Sequence, residues 1–320
     1  MTLRLIARLN YINRKRNKEG CSFLITKNFY LSMKKTLLLL SVLCLSANAQ
    51  RSFPFGEAYG KRICEFPKET ILEQARMEFI YRHLTMDPEI NKTEEEYDIL
   101  MVGKKYALYK GYPRHRLDSI LQHRDKSKIT NKDYHNLFYS LGDENASKTP
   151  YILKHIASGK IEVHESIMPD NYIYEEPKID FKWKLSDGNR RVCGHPCKKA
   201  TCTFRGRRWT AWYAVDIPQS QGPWKFGGLA GLIMLIEDSK REHVFTVISV
   251  RKGTKDCLIS QFDQNDFKTN RKWFNKAKRN YEQDPLGQLK TSGVTITNAD
   301  GSEAKLPKKR LYVFNPIEKE

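Results

Sequence analysis

The stretch from Phe204 to Ile217 alternates between two kinds of side chain, and this pattern constrains the fold more than any other part of the sequence. One parity is apolar: Trp209, Ala211, Tyr213, Val215 and Ile217. A period of two with aromatic and β-branched side chains predicts a strand that packs one face against a core. Pro218 and Pro223 follow, and because proline removes a backbone donor they are expected to end the strand and turn the chain.

A glycine-rich apolar segment comes next, from Gly227 to Asp238. It ends at turn residues, and His243–Arg251 then alternates again, so Leu232–Glu237 and Val244–Val250 are predicted to form a hairpin. The glycines are also a candidate phosphate cradle, but no Gly-Lys-Ser or Gly-Lys-Thr follows them and the next element is predicted to be a strand, not a helix. The sequence therefore favours a backbone kink or bulge.

Similar patterns elsewhere predict further strands and a few helices. The strand candidates are 73–86, a hairpin that turns at Gly103-Lys104, 151–153, 160–165, 172–174, 178–185 with Ile179, Phe181, Trp183 and Leu185 facing inward, 294–297 and 311–314. Helices are predicted at 116–123 and 132–141, and a third is predicted to be capped by Asp266 and to reach Tyr281. This order of elements predicts a mainly β (α+β) fold, with one strongly curved antiparallel sheet or half-barrel and a few packed helices.

The N-terminal region has the layout of an export signal. Lys34-Lys35 precede a short apolar run, and Ala47-Asn48-Ala49 then supply a cleavage site. The run is about ten residues, whereas a membrane-spanning helix needs roughly 20. We therefore predict a mis-assigned start over residues 1–32, a signal peptide over 33–49 and a single β-rich domain over 50–320. The product is expected in the periplasm or associated with the outer membrane; a genuine N-terminal extension is the alternative.

The formal net charge is +19, and part of this excess lies in the leader. A basic exported protein meets anionic lipids and glycans, so the charge favours contacts with a surface or a partner and argues against a nucleic-acid function. A solvated basic face without a specific partner is the plainer interpretation. After the signal, no stretch is apolar enough to predict a transmembrane helix.

Cysteines cluster around one predicted turn. Cys193, Cys197 and Cys202 lie close together in sequence, and His195 stands between the first two. Zinc sites favour cysteine pairs on two separated knuckles, and the sequence offers no second knuckle, so we predict neither a metal nor any other cofactor. An oxidising location instead favours at least one disulfide that involves one of these three residues. The sequence leaves the connectivity open.

Basic and aromatic side chains are concentrated in the same region. As a surface they could stack on sugar rings or grip anions, and the candidate binding residues are Arg205, Arg207, Trp212, Trp224 and Lys225. The alternative is that the tryptophans are core residues and the arginines are solvated. No catalytic residue can be assigned, because no nucleophile, metalloprotease or dinucleotide motif appears and no carboxylate pair stands out.

A series of short motifs resembles the signature of the GLPGLI family of secreted bacterial proteins. They run in order as Trp183-Lys184-Leu185, Gly194 to Thr201, Phe204 to Arg207, Ala211-Trp212-Tyr213, Ile217-Pro218, Gly222 to Phe226 and Gly228 to Ile233, with Cys197, Gly206, Gly222, Pro223, Gly228 and Gly231 at motif positions. Two positions depart from the pattern, since Ala230 replaces the proline of the family name and His195 replaces a tyrosine. The resemblance implies an unestablished activity and an accessory role beside outer-membrane receptors of the TonB-dependent kind, or their cargo.

Three classes of function follow from these observations. The first is a non-catalytic periplasmic binding or accessory protein, which holds a hydrophobic or glycan ligand in a concave sheet. The second is a secreted hydrolase whose site the sequence does not reveal, and the third is a structural component of the envelope. A concave apolar surface would favour the first, a deep polar cleft the second, and a filled convex sheet the third.

Overall fold

The computed structural model describes residues 57–141, 149–167, 170–263, 266–285 and 312–319. Strands dominate this part of the chain, and the mainly β fold predicted from the sequence is confirmed. Twelve strands join one curved sheet, and two form a small separate sheet. No helix within these ranges is both long and apolar enough to cross a membrane.

The described strands are numbered in chain order. They are β1 (Lys68–Gln74), β2 (Met77–Asp87), β3 (Lys92–Val102), β4 (Tyr106–Gly111), β5 (Tyr151–His155), β6 (Ile161–Ile167), β7 (Asp170–Glu176), β8 (Lys184–Val192), β9 (His195–Phe204), β10 (Arg207–Ala214), β11 (Leu232–Asp238), β12 (His243–Lys252), β13 (Leu258–Asp263) and β14 (Phe267–Lys268). Strands β1 and β13 form the small sheet.

Two meanders build the large sheet. Strands β2 to β7 are successive antiparallel neighbours, and so are β8 to β12. Strand β12 pairs with β2, where Phe245 lies opposite His83, and this pairing joins the two meanders. Strand β14 adds a short parallel edge beside β7.

The predicted hairpins are confirmed. Strands β11 and β12 are antiparallel partners, and β3 and β4 turn at Gly103, whose N–H donates to the carbonyl of Tyr106 at 2.9 Å. The β8–β9 and β9–β10 turns are Cys193-Gly194 and Arg205-Gly206, and all four of these residues have positive φ. Two successive positive φ values match the right-handed twist of the flanking strands, which keeps these hairpins tight.

The three predicted helices are present, but one predicted cap is wrong. Besides the one-turn helix Glu57–Gly60 and the 3-10 turn Lys126–Lys128, they are α1 (Tyr112–Gln122), α2 (Asn131–Ser140) and α3 (Arg271–Gln283). Thr130 and Asp133 form a capping box at the start of α2. The predicted cap of α3 by Asp266 is wrong, because the side chain of Asn270 accepts the N–H of Trp273 and begins the helix there.

The large sheet has two packed faces. The inner face carries the main core, in which Tyr81, Tyr109 and Val163 pack with Phe274 of α3. The outer face carries a second cluster that includes Ile99, Leu108 and Leu153. Because both faces are covered, the central strands are apolar on both sides.

Three other predicted strands need comment. Residues 177–183 form no strand, Lys182 has a φ of 51°, and Leu185, which was expected to face inward, is 70% exposed. The reversed backbone at Lys182 breaks the extended geometry that the alternation predicted. Residues 294–297 lie outside the described residues, as does Leu311, and residues 312–314 form no strand.

Candidate functional site

A cavity of about 200 Å³ lies on the inner face, between the sheet, helix α3 and the C-terminal segment 312–319, which we call the strap. Its lining mixes aromatic and polar side chains, among them His83, Thr85, Tyr109, Tyr174, His243, Phe245, Phe274 and Lys278. Ligand pockets usually enclose about 300–1,000 Å³. The cavity therefore suits a small ligand.

Two histidines from neighbouring strands meet at the wall of this cavity. The Nε2 atom of His83 lies 3.2 Å from Nδ1 of His243 and 3.1 Å from Oγ1 of Thr85. The ring of His83 stacks on that of Phe245, with centroids 3.8 Å apart. The strand register explains the arrangement, because His243 pairs with Thr85 across β12 and β2.

Burial keeps both histidines uncharged. It lowers the pKa of His83 to about 3. It also lowers the pKa of His243 well below its ordinary value, and the adjacent His83 adds to this effect. Both rings are therefore neutral at physiological pH and act as hydrogen-bonding groups without charge.

An aspartate lies behind the histidine pair. Burial raises the pKa of Asp98 to about 6, although hydrogen bonds from Tyr109 and Thr149 oppose the shift. The Tyr109 hydroxyl donates to Oδ2, and Oγ1 of Thr149 donates to Oδ1 at 3.0 Å. Oδ2 also lies 3.8 Å from Nδ1 of His83. Because both oxygens are engaged, this carboxyl orients its neighbours and is not directed at a ligand.

Charged side chains around the cavity pair with one another. Nζ of Lys278 lies 3.5 Å from Glu165 and 3.6 Å from Glu282, and Arg271 binds Glu318 of the strap at 2.7 Å. These ion pairs neutralise part of the charge around the cavity, whose lining also includes Glu94, Glu96 and Arg279. The wall thus combines charged side chains with uncharged polar groups and aromatic rings.

Two of the predicted binding residues tie the strap to the sheet. Glu176 and Glu318 each accept from both Arg205 and Lys225, at 2.5 to 3.1 Å. Burial alone would raise the pKa of Glu318, but the charges of Lys225 and Arg205 outweigh it and lower that pKa. The carboxylate is therefore ionised, and the cluster is a buried set of paired charges.

Arg207 makes a second attachment. Its side chain is 2% exposed and lies 2.9 Å from Asp238 and 2.6 Å from Glu242. It also donates to the carbonyls of Pro316 and Ile317 in the strap, at 2.9 and 3.0 Å. One guanidinium thus joins the β9–β10 hairpin, the β11–β12 hairpin and the strap.

The aromatic and basic surface predicted from the sequence is only partly present. The structure brings Arg205, Arg207, Trp224 and Lys225 together, but three of the four side chains are buried and Arg205 is largely so. Trp212 lies elsewhere, half-exposed on β10, with the cations of Arg190 and Lys199 about 6 Å from its ring. The difference arises because four acidic side chains and the strap come together over these cations.

The motif glycines meet steric requirements of the backbone. A Cβ on Gly231 would lie 1.8 Å from the carbonyl oxygen of Ala214, and one on Gly222 would lie 2.9 Å from the side chain of Ile233. Gly206 and Gly228 have positive φ. Pro223 is buried between these glycines, whereas Ala230 is exposed. The kink that the sequence predicted at this segment is therefore a close approach between loop and strand.

The described cysteines are all free thiols, so the expected disulfide is not formed in the structure. Cys197 and Cys202 lie on one extended strand, β9, about 17 Å apart along it, whereas a disulfide needs Cα atoms less than roughly 7 Å apart. Cys193 is exposed in the β8–β9 turn. Burial raises the pKa of Cys197 to about 11 and that of Cys202 to about 12.

Sequence reasoning missed the histidine pair. His83 and His243 are 160 positions apart, and each sits in an alternating strand in which a histidine has no local mark. The only signal in the sequence is that each histidine lies on the same face of its strand as a core residue: His83 with Tyr81, and His243 with Phe245. Among the described residues, no three His, Cys, Asp or Glu side chains converge to hold a metal ion.

One part of the chain matches a known protein family. Residues 203–235 match a family described as "Protein of unknown function (Porph_ging)". The match falls within the block that resembles the GLPGLI signature, and both describe proteins without an established function. No curated protein matches the chain.

Solved structures of PNGF-II in two crystal forms are similar to part of this chain. The P21 form has a TM-score of 0.43 at 14% identity and the C2 form 0.42 at 12%, each over 65% of this chain. These matches cover 34% and 33% of the solved chains. The chain therefore spans about a third of their length.

Proposed function

We propose that this chain is an exported, GLPGLI-like accessory protein that binds a small uncharged ligand, such as a single sugar unit, in the inner-face cavity. The observation that carries the proposal is the neutral pair of His83 and His243 at the cavity wall. A group whose pKa lies near 3 is a poor general base at neutral pH, and it is too weakly protonated to be a general acid. The pair thus suits recognition better than catalysis.

The rest of the lining supports an uncharged polar ligand. Tyr109, Tyr174 and Phe274 supply aromatic surface, and apolar faces of sugar rings pack well on such surface. Thr85 and His243 lie at the cavity wall and place polar groups where a ligand can hydrogen-bond to them. Lys278 is already paired with Glu165, so an anionic ligand would have to break this ion pair to be held by Lys278.

Localisation and partner follow from the sequence. The signal-peptide layout supports export, and the GLPGLI resemblance supports a role beside an outer-membrane receptor of the TonB-dependent kind or its cargo. Part of the basic charge that sequence reasoning assigned to such a contact lies inside the protein. Of the predicted binding residues, Trp212 remains half-exposed, with the cations of Arg190 and Lys199 beside its ring, so we assign the partner contact to it.

Histidine ring NMR tests the ligand. Titration with neutral hexoses (glucose, galactose and mannose) should shift the ring signals of His83 and His243, and His83→Phe should abolish the binding while the protein stays folded. His195→Phe, at a half-buried position of β9 outside the cavity lining, is the matched control and should bind as the wild type does. Shifts confined to histidines outside the cavity, or none with any hexose, would contradict the ligand assignment.

Crosslinking in native cells tests the partner. A photoreactive residue at position 212 should capture an outer-membrane receptor, which mass spectrometry identifies. The same residue at Ile71, which is exposed on β1 of the separate small sheet, serves as the control position. Equal capture at both positions, or recovery of the full-length chain from the cytoplasm, would refute the accessory role.

A further inference from the structure

The outer face carries a second cavity, of about 300 Å³, that the proposed function does not use. Strands β4, β5 and β6 form its floor, and helix α1 begins at its edge. Lys110, Tyr151 and His164 point to this face, since Tyr109, Ile152 and Val163 beside them belong to the inner core. Arg114, Phe262 and Asp266 complete the wall.

A histidine and an aspartate form a dyad in this cavity. Nδ1 of His164 lies 2.7 Å from Oδ2 of Asp266, and the Asp266 side chain is only 5% exposed. An ionised Asp266 places the ring proton on Nδ1, so that Nε2 of His164 becomes a hydrogen-bond acceptor.

Three polar atoms around the cavity have no partner within the described part of the chain. They are Nε2 of His164, Oδ1 of Asp266 and the hydroxyl of Tyr151, and each is buried. A buried polar group without a hydrogen bond costs roughly 1–3 kcal/mol. Three such groups around one cavity indicate a site that a ligand completes. The two acceptors of the dyad call for ligand hydroxyls.

The opposite wall carries surplus positive charge. Lys110 and Arg114 both bind Asp118, at 2.8 and 3.0 Å, so two cations face one carboxylate. Arg114 uses only Nε in this pair, and its terminal nitrogens make no hydrogen bond to the described residues. It also lies in the first turn of α1, which has no side-chain cap and whose dipole favours an anion. This wall suits a carboxylate, which a guanidinium binds with two parallel hydrogen bonds.

We infer that the outer-face cavity is a second binding site, for a small hydroxylated carboxylate such as a sugar acid. The ligand carboxylate binds Arg114, and its hydroxyls donate to His164 and Asp266. The site shares no histidine with the inner-face cavity, and it stands whether or not that cavity binds a hexose.

Glucuronate is the probe, with glucose and acetate as the partial analogues that carry only hydroxyls or only the charge. In histidine ring NMR of the wild-type protein, the ring signals of His164 should shift on titration with glucuronate. Glucose and acetate should bind at this ring at least about tenfold more weakly, because each lacks one set of hydrogen-bonding groups. His83 and His243 should not respond to glucuronate. An equal response of His164 to glucose, or no response to glucuronate at tens of millimolar, would overturn the proposal.

Two variants test the roles of the residues. Arg114→Met should weaken glucuronate binding about tenfold or more, while Lys110 keeps Asp118 paired; Arg116→Met, an exposed position on the same helix, should change it less than twofold. His164→Phe keeps the ring and removes the acceptor, and should weaken binding similarly. If His164→Phe does not fold, the wild-type titration and the comparison of Arg114→Met with Arg116→Met still test the site. Equal effects of these two arginine variants on glucuronate binding would refute it.

Discussion

Replacing Arg207 by methionine should strongly destabilise the protein. The guanidinium pairs with Asp238 and Glu242 where all three side chains are at most 4% exposed. Methionine keeps much of the apolar stem but leaves two buried carboxylates without their main partner. Breaking a buried pair by removing one member costs about 3–5 kcal/mol. For a domain of this size each kcal/mol lowers the melting temperature by roughly 2–4 °C, so we expect a fall of roughly 6–20 °C.

Thermal unfolding followed by calorimetry measures this change. Arg208→Met, the next residue on the same strand, is exposed and should stay within about 0.5 kcal/mol of the wild type. Arg207→Lys keeps the charge but not the planar fork of donors, so its loss should be intermediate. Limited proteolysis should also cut the strap faster in Arg207→Met. A melting temperature for Arg207→Met equal to that of Arg208→Met would refute the reasoning.

The same geometry changes what charge reversal at Arg205 and Arg207 is expected to do. The sequence alone makes these arginines candidate binding residues, so reversing their charge would be expected to weaken a complex while the protein stayed folded. In the structure, a glutamate at position 207 would face Asp238 and Glu242 in a buried site. We therefore expect unfolding, and a selective loss of partner binding is expected from Trp212→Ala instead.

Three further predictions concern the loop, the pH dependence and the thiols. Gly231→Ala should lower the free energy of unfolding by about 1–3 kcal/mol or more, because its Cβ would lie 1.8 Å from a backbone oxygen of β10. Denaturant unfolding measures this change. A smaller loss than that caused by an alanine substitution at an exposed site would contradict the prediction. The folded pKa of His83 is about 3 against an ordinary 6.5, so its contribution to stability is fully present above pH 6.5 and is lost as the pH falls towards 3. Asp98 has the opposite effect on stability, because its pKa is raised from 3.8 to about 6, so the folded state binds this proton at a higher pH than the unfolded state does. The Asp98→Asn variant should therefore lose stability more steeply below pH 6.5 than the wild type. A shallower decline in its melting temperature would count against the assignment. Cys193 is exposed whereas Cys202 is buried with a pKa raised to about 12, so iodoacetamide should label Cys193 in the native protein and Cys202 only after unfolding, as peptide mass spectrometry would show.

Local patterns account for most of the elements that the sequence predicts correctly. The alternation of Trp209, Ala211 and Tyr213 determines the buried face of β10, because side chains of a strand alternate regardless of what lies beside them. The stripe of apolar residues likewise predicts the helices. At 178–185 the alternation correctly places Phe181 in the core, whereas Leu185 is exposed, because the alternation does not reveal the reversed backbone at Lys182.

The candidate sites depend on contacts between distant parts of the chain. Pairing of β12 with β2 brings His83 and His243 together, and the short edge strand β14 places Asp266 beside His164. Burial of Arg207 follows from the position of the strap over two hairpins. The residues in these contacts are 102 to 160 positions apart in the sequence. The periodicity within a strand does not encode which other strand it will pair with. The sequence by itself therefore determined the strands, the turns and the kinks of this protein, whereas the tertiary structure alone decided which polar side chains are paired, buried or directed into a cavity.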